Sequence, residues 1–198
     1  ESDIADITWN LGAIQEVEED SDVVSRALNR EIQNDIEHIY MLLAMLYDTR
    51  SIQLVKENIE SGTVEGVTYA VELLDVFLSE QLKQRVIPVL DDLAISEKIK
   101  RLEIFYPRVQ LDKKLVLKYL INREFTQSNR WTKAAVLHQI GVQKVEEFTM
   151  DLIAQLFNPD MLICETAAWS LHQINVESYK SNVVRLSDDI RRALDNAV

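Results

Sequence analysis

Breakers are what this chain lacks: 198 residues contain only four glycines and three prolines. Average usage of roughly 7% and 5% would supply several times as many. Sandwiches, barrels and doubly wound α/β folds need many tight turns, and tight turns need those residues. The same scarcity removes the phosphate-cradling loops, since neither G-x-G-x-x-G nor G-x-x-x-x-G-K occurs. Apolar residues instead recur at helical spacing along almost the whole length. The expectation is an all-α chain, read as a single domain over 1–198 and long enough to bury a substantial core.

Cys164 is the sole cysteine, so neither an intramolecular disulfide nor a CxxC metal site can form. There is no N-x-S/T acceptor and no apolar run near the ~18 to 20 residues of a membrane span. These features point to a reducing, cytoplasmic setting. The acidic start Glu1-Ser2-Asp3 is unlike a secretory signal, and without an initiator methionine it suggests a piece of a longer protein or a processed chain.

The breaks between apolar stripes set the helices. A first helix is predicted over 3 to 17, with Ile4, Ile7, Leu11 and Ile14 on one face; an acidic run, Glu16 to Asp22, follows. A long helix then extends to about 47. Ser51 is read as the cap of a short helix that Ser61-Gly62 stops, and Thr63 as the cap of the next. Ser79 opens a helix in which Pro88 should kink the axis or mark a new start. In Asn158-Pro159-Asp160, Asn158 reads as an N-cap with proline at N1. About ten or eleven helices result.

A repeat emerges from these helices. Thr132, Ala134, Leu137, His138, Gln139, Ile140 and Val142 recur 34 positions later as Thr166, Ala168, Leu171, His172, Gln173, Ile174 and Val176. A fainter copy keeps Thr68, Ala70 and Leu73. A two-helix unit cannot bury its own apolar face, so such units stack, with Leu73, Leu137 and Leu171 in the inter-repeat core. The period suits tetratricopeptide repeats, but their W-x2-L-G-x2-Y block is missing.

The stretch from Asn158 to Leu171 resembles the turn and second helix of a HEAT repeat: a short break at Asn158-Pro159-Asp160, then Ala167-Ala168 leading to Leu171. Asn129 to Leu137 is a looser match, and Ala70 to Asp75 a third. Cys164 stands where that family carries arginine, which takes one member from its turn-bracing Asp–Arg ladder. The resemblance implies an α-solenoid of about five stacked antiparallel helix pairs. A narrower resemblance, in Ala70 to Asp75, Arg85 to Asp92 and Glu165 to Leu171, is to the HEAT segments of certain bacterial membrane proteins with a nucleotide-transporter-like domain. It implies a cytoplasmic regulatory segment and carries over no catalytic residue.

No constellation calls for a metal, a cofactor or a nucleophile. His138 and His172 occupy equivalent repeat positions, but no H-E-x-x-H accompanies them and His38 has no evident partner. Cys164, among Leu162, Ile163 and Ala167, reads as a small core filler. The acidic run lacks the D-x-D-x-D-G spacing of a calcium loop. Trp9, Trp131 and Trp169 read as core or edge packing. The chain is therefore expected not to be an enzyme and to need no cofactor.

Charge carries the functional expectation. Residues 1 to 97 hold 21 acidic and 6 basic side chains, whereas residues 98 to 198 hold 12 and 15. Within 98 to 133 ten bases face three acids, interleaved with Phe105, Tyr106, Tyr119, Phe125 and Trp131. Lys98, Arg101, Lys114, Lys118, Arg123 and Arg130 form the candidate docking surface, with Leu115 and Tyr119 turned toward the core or its edge. Basic residues mixed with aromatics also suit nucleic acid or acidic lipid headgroups. The net charge of -12 repels a polyanion, so the favoured partner is another protein or a neighbouring domain. The expected function is a non-catalytic scaffold. A nucleic-acid-binding HEAT-like domain is the alternative, and an enzyme of that kind would need an acid and aromatics lining a basic groove.

Overall fold

The computed structural model describes residues 1–17, 22–108, 112–123 and 129–194. Among them 82% are helical and none is in a strand. Glu18 to Asp20 of the acidic run, and Phe125 of the basic block, lie outside the described residues.

The chain divides into two compact units, one of residues 1–15 and 28–110, the other of 16–27 and 111–198. The first holds most of α1 (Ser2–Val17) and α2 (Asp22–Leu46), then α3 (Thr49–Glu60), α4 (Val64–Phe77), α5 (Glu80–Leu90) and α6 (Ile95–Leu102). The second holds α7 (Lys113–Asn122), α8 (Arg130–Gln143), a 3-10 turn (Glu146–Phe148), α9 (Thr149–Gln155), α10 (Met161–Ile174), α11 (Val176–Val183) and α12 (Asp188–Leu194).

In the first unit, Ile4, Ile7, Leu11 and Ile14 of α1 are buried as the spacing predicts. Asp48, not Ser51, caps α3: its carboxylate accepts from the Ser51 amide at 2.8 Å and from the Ser51 hydroxyl at 2.9 Å. Three residues suffice to reverse the chain into α4. Gly62 takes φ +64°, the left-handed conformation that ends a helix cheaply only in glycine, and Thr63 accepts from the Gly66 amide. α4 presents the stripe Gly66, Ala70, Leu74, one residue per turn, so Leu74 is fully buried and Leu73 is only half-buried. That corrects the expected core position, because a narrow stripe at i, i+4, i+8 leaves i+7 at its edge. α5 runs through Pro88 to Leu90. The proline lies so near the end that it removes only one late bond of the ladder.

In the second unit α10 is the central helix, packing against α8, α9, α11 and α12. Its N-cap is Asp160, which accepts from the Leu162 amide at 3.0 Å and the Ile163 amide at 3.4 Å. Asn158 instead accepts from the Asp160 amide at 2.9 Å, a local turn that places the true cap two residues later than the proline suggested.

Leu137 and Leu171 are fully buried where the 34-residue repeat places them. α8 and α10 approach so closely at Gly141 that a Cβ there would lie 2.8 Å from the Ser170 Cα. The buried Ser170 hydroxyl donates to the Leu137 carbonyl at 2.8 Å across the same seam. His138 stacks on Trp169 with ring centroids 4.8 Å apart, and His172 meets Tyr179 edge-on at 5.5 Å. The two repeat-equivalent histidines are thus aromatic packing partners.

Candidate functional site

The ten bases of 98 to 133 are divided between the two units, Lys98 and Arg101 in the first and Lys114, Lys118, Arg123 and Arg130 in the second. Burial then separates them further. Lys98 on α6 is half-buried and donates its Nζ to the Val89 carbonyl at 2.8 Å, satisfying one of the last carbonyls of α5. Burial pulls its pKa below the usual lysine value, against the opposing pull of Asp91 and Asp92. Arg101 pairs with Glu97 at 3.0 Å along the outside of the same helix.

The second unit repeats the capping device. Buried Lys133 on α8 donates its Nζ to the carbonyl of Arg123, the C-cap of α7, at 2.8 Å, and burial lowers its pKa as well. Arg123 is itself only 6% exposed, with its guanidinium carbon 5.8 Å from the centre of the Tyr119 ring. Lys98 and Arg123 therefore belong to the packing rather than to an outward-facing charge cluster. Desolvated cations placed over helix-terminal carbonyls and aromatic faces explain both.

What remains outside is the face of α7. Asp112 caps this helix by accepting from the Leu115 amide at 2.8 Å. Val116, Leu117, Leu120 and Ile121 then turn inward, leaving Lys114, Leu115, Lys118 and Tyr119 exposed. Leu115 is 47% and Tyr119 44% exposed, opposite to the inward orientation expected from the sequence. The reason is phase: 116, 117, 120 and 121 already complete the inward stripe, and 115 and 119 fall on the far side. Lys114 reaches Glu147 at 2.7 Å. Arg130 pairs with Asp160 at 3.0 Å and lies 5.9 Å from the ring of Trp131, which is 64% exposed rather than packed in the core.

A second feature belongs to the first unit alone and had no sequence signal. A cleft of about 360 Å³ opens between α2, α3, α4 and the end of α5. Charged side chains line it: Glu37 and Glu60, held by Lys56 at 2.5 and 3.7 Å, together with Asp91, Asp92 and Lys98. Tyr40 forms part of the wall and is only 6% exposed, yet its hydroxyl has no hydrogen-bond partner among the described residues. Burial, then the charges of Glu60 and Glu37, push that hydroxyl's pKa up, so it stays protonated. Such a buried, unsatisfied hydroxyl costs about 1–3 kcal/mol.

Cys164 is buried, donates its thiol to the Leu156 carbonyl at 3.0 Å, and has its pKa raised by burial and by Glu165. A thiol so placed is a poor nucleophile. Among the described residues, no three His, Cys, Asp or Glu side chains are grouped to hold a metal ion, and no helix is long and apolar enough to cross a membrane. Comparison with protein-family models, with curated proteins and with solved structures gives no match.

Proposed function

We propose that the chain is a non-catalytic docking module built from HEAT-like helix pairs, whose α7 face receives an acidic partner protein. The carrying observation is that α7 turns Leu115 and Tyr119 outward beside Lys114 and Lys118. Aromatic anchors beside cations are what interface cores and rims are enriched in, and the apolar pair supplies the burial that charge alone does not. Lysines on this face steer an acidic surface and set its orientation. The HEAT-like reading is supported by the 34-residue period, by the paired burial of Leu137 and Leu171, and by the Arg130–Asp160 contact, which joins the start of α8 to the cap of α10.

The test is fluorescence anisotropy with a labelled acidic amphipathic helical peptide, set against a duplex DNA and against anionic vesicles. Lys114→Glu with Lys118→Glu should weaken peptide binding by about tenfold or more and flatten its salt dependence. Tyr119→Ala should weaken it at every salt concentration. Unfolding should be almost unchanged, because exposed charges contribute little to stability. Peptide binding indifferent to the reversal, or tight binding to DNA or vesicles that the reversal abolishes, would overturn the reading.

A further inference from the structure

We infer, resting on the reading of α7 as a docking face, that its acidic partner is a second copy of this chain, which presents the outward face of its own α4. The inward stripe Gly66, Ala70, Leu74 leaves the opposite side of α4 to solvent. There Tyr69 and Val76 stand two turns apart, 45% and 84% exposed, an apolar row that nothing in the chain covers. Glu65 and Glu72, also two turns apart and exposed, form the row beside it. α4 holds three carboxylates and no base. Asp75 meets Lys83 at 3.2 Å, but neither Glu65 nor Glu72 has an ion-pair partner among the described residues.

α7 is the complement of that face. It holds three lysines and no acid, with Lys114 and Lys118 one turn apart and Leu115 and Tyr119 in the neighbouring row. Lys114 reaches Glu147, whereas the Lys118 ammonium has no ion-pair partner among the described residues. In both helices the apolar row lies on the same hand of the charged row. An antiparallel approach therefore sets apolar against apolar and lysine against glutamate, while a parallel one crosses them. Both faces are exposed within one chain, so each copy offers α4 to one neighbour and α7 to another. Such a head-to-tail contact extends into filaments or closes into rings.

A contact between two helix faces is small, so the association is weak and is sought from about 10 μM to 1 mM. Sedimentation velocity of the whole chain at about 0.1 M salt should show an average mass rising past that of a dimer. The Debye length is then about 10 Å, which largely screens the net charge of -12 between copies but not the pairs in contact. Glu65→Gln with Glu72→Lys should leave a monomer, and so should Lys114→Glu with Lys118→Glu, because each removes one face. Each variant keeps the other face, so an equal mixture should form a one-to-one dimer that grows no further. Tyr69→Ala, which leaves the charge unchanged, should lower the average mass at every concentration, and thermal unfolding of each variant checks the fold. A parent chain that stays monomeric across the range overturns the inference whatever the variants do; acidic-peptide binding to that monomer would leave the α7 reading standing. Association that survives either charge reversal, or a mixture of folded variants that stays monomeric or grows beyond a dimer, also overturns it.

Discussion

The two units solve the same problem, bringing helices close, by different routes. In the first, one close approach is local. A Cβ on Gly66 would stand 2.6 Å from the Asn58 carbonyl oxygen and 2.4 Å from the Ser61 hydroxyl, so α4 is folded back on the end of the helix just before it. In the second, Gly141 of α8 closes on Ser170 of α10, with α9 passed over in between. A turn fixes the first contact and a repeat fixes the second. Local contacts cost little loop-closure entropy, whereas the α8–α10 seam must recover a larger one through burial and the Ser170–Leu137 hydrogen bond. Residues at the seam should accordingly matter most.

The largest expected effects test that ordering. Leu171→Ala and Leu74→Ala each empty a fully buried site and should cost roughly 2–5 kcal/mol, while Leu73→Ala, half-buried, should cost clearly less. Urea denaturation of the three variants decides it. Equal losses at positions 73 and 74 would restore the stripe expected from the repeat.

Next comes Gly141→Ala. Better helix propensity would favour it by about 1 kcal/mol, but the new Cβ meets the Ser170 backbone, and overpacking of that kind costs about 1–3 kcal/mol. A net loss of stability is expected. A stabilised variant would mean the seam is looser than it looks.

Ser170→Ala should be milder, about 1 kcal/mol, as the loss of one buried hydrogen bond. Coupling with Gly141→Ala in a double-mutant cycle is expected, because both act at one contact.

The smallest effect compares the two capping lysines through pH. Burial lowers the folded-state pKa of Lys98 below its ordinary 10.5. Between that depressed value and 10.5 the unfolded chain keeps a proton the folded chain has released, so the Lys98 contribution to stability increases as pH rises through that window. At lower pH both states are protonated and the burial cost is felt in full. Lys98→Met should therefore flatten the alkaline rise relative to the parent, and Lys133→Met should do the same in the second unit. Urea midpoints at neutral and alkaline pH provide the measurement; parallel curves would place these lysines in water.

How much was readable beforehand depended on how local the cause was. The inward face of α1, the cap Thr63, the stop at Gly62 and the interior places of Leu137 and Leu171 follow from spacing and side-chain chemistry within a few residues or one repeat. Asp48 was missed because Ser51 lies one turn further along and is itself bonded to that carboxylate. The docking candidates were legible as charges but not as positions. Lys98 and Lys133 look like surface lysines until the ends of α5 and α7 are brought beneath them.

Helicity, and the ends of most helices, follow from breakers, caps and a 3.6-residue apolar period, because these act through neighbours along the chain. Packing settles which cations sit over helix ends, which face of α7 meets solvent, and that Tyr40 shares a cleft with four carboxylates drawn from α2, α3 and the end of α5. Burial and electrostatic environment depend on residues distant in sequence, and no periodicity of one segment encodes what another segment brings to it.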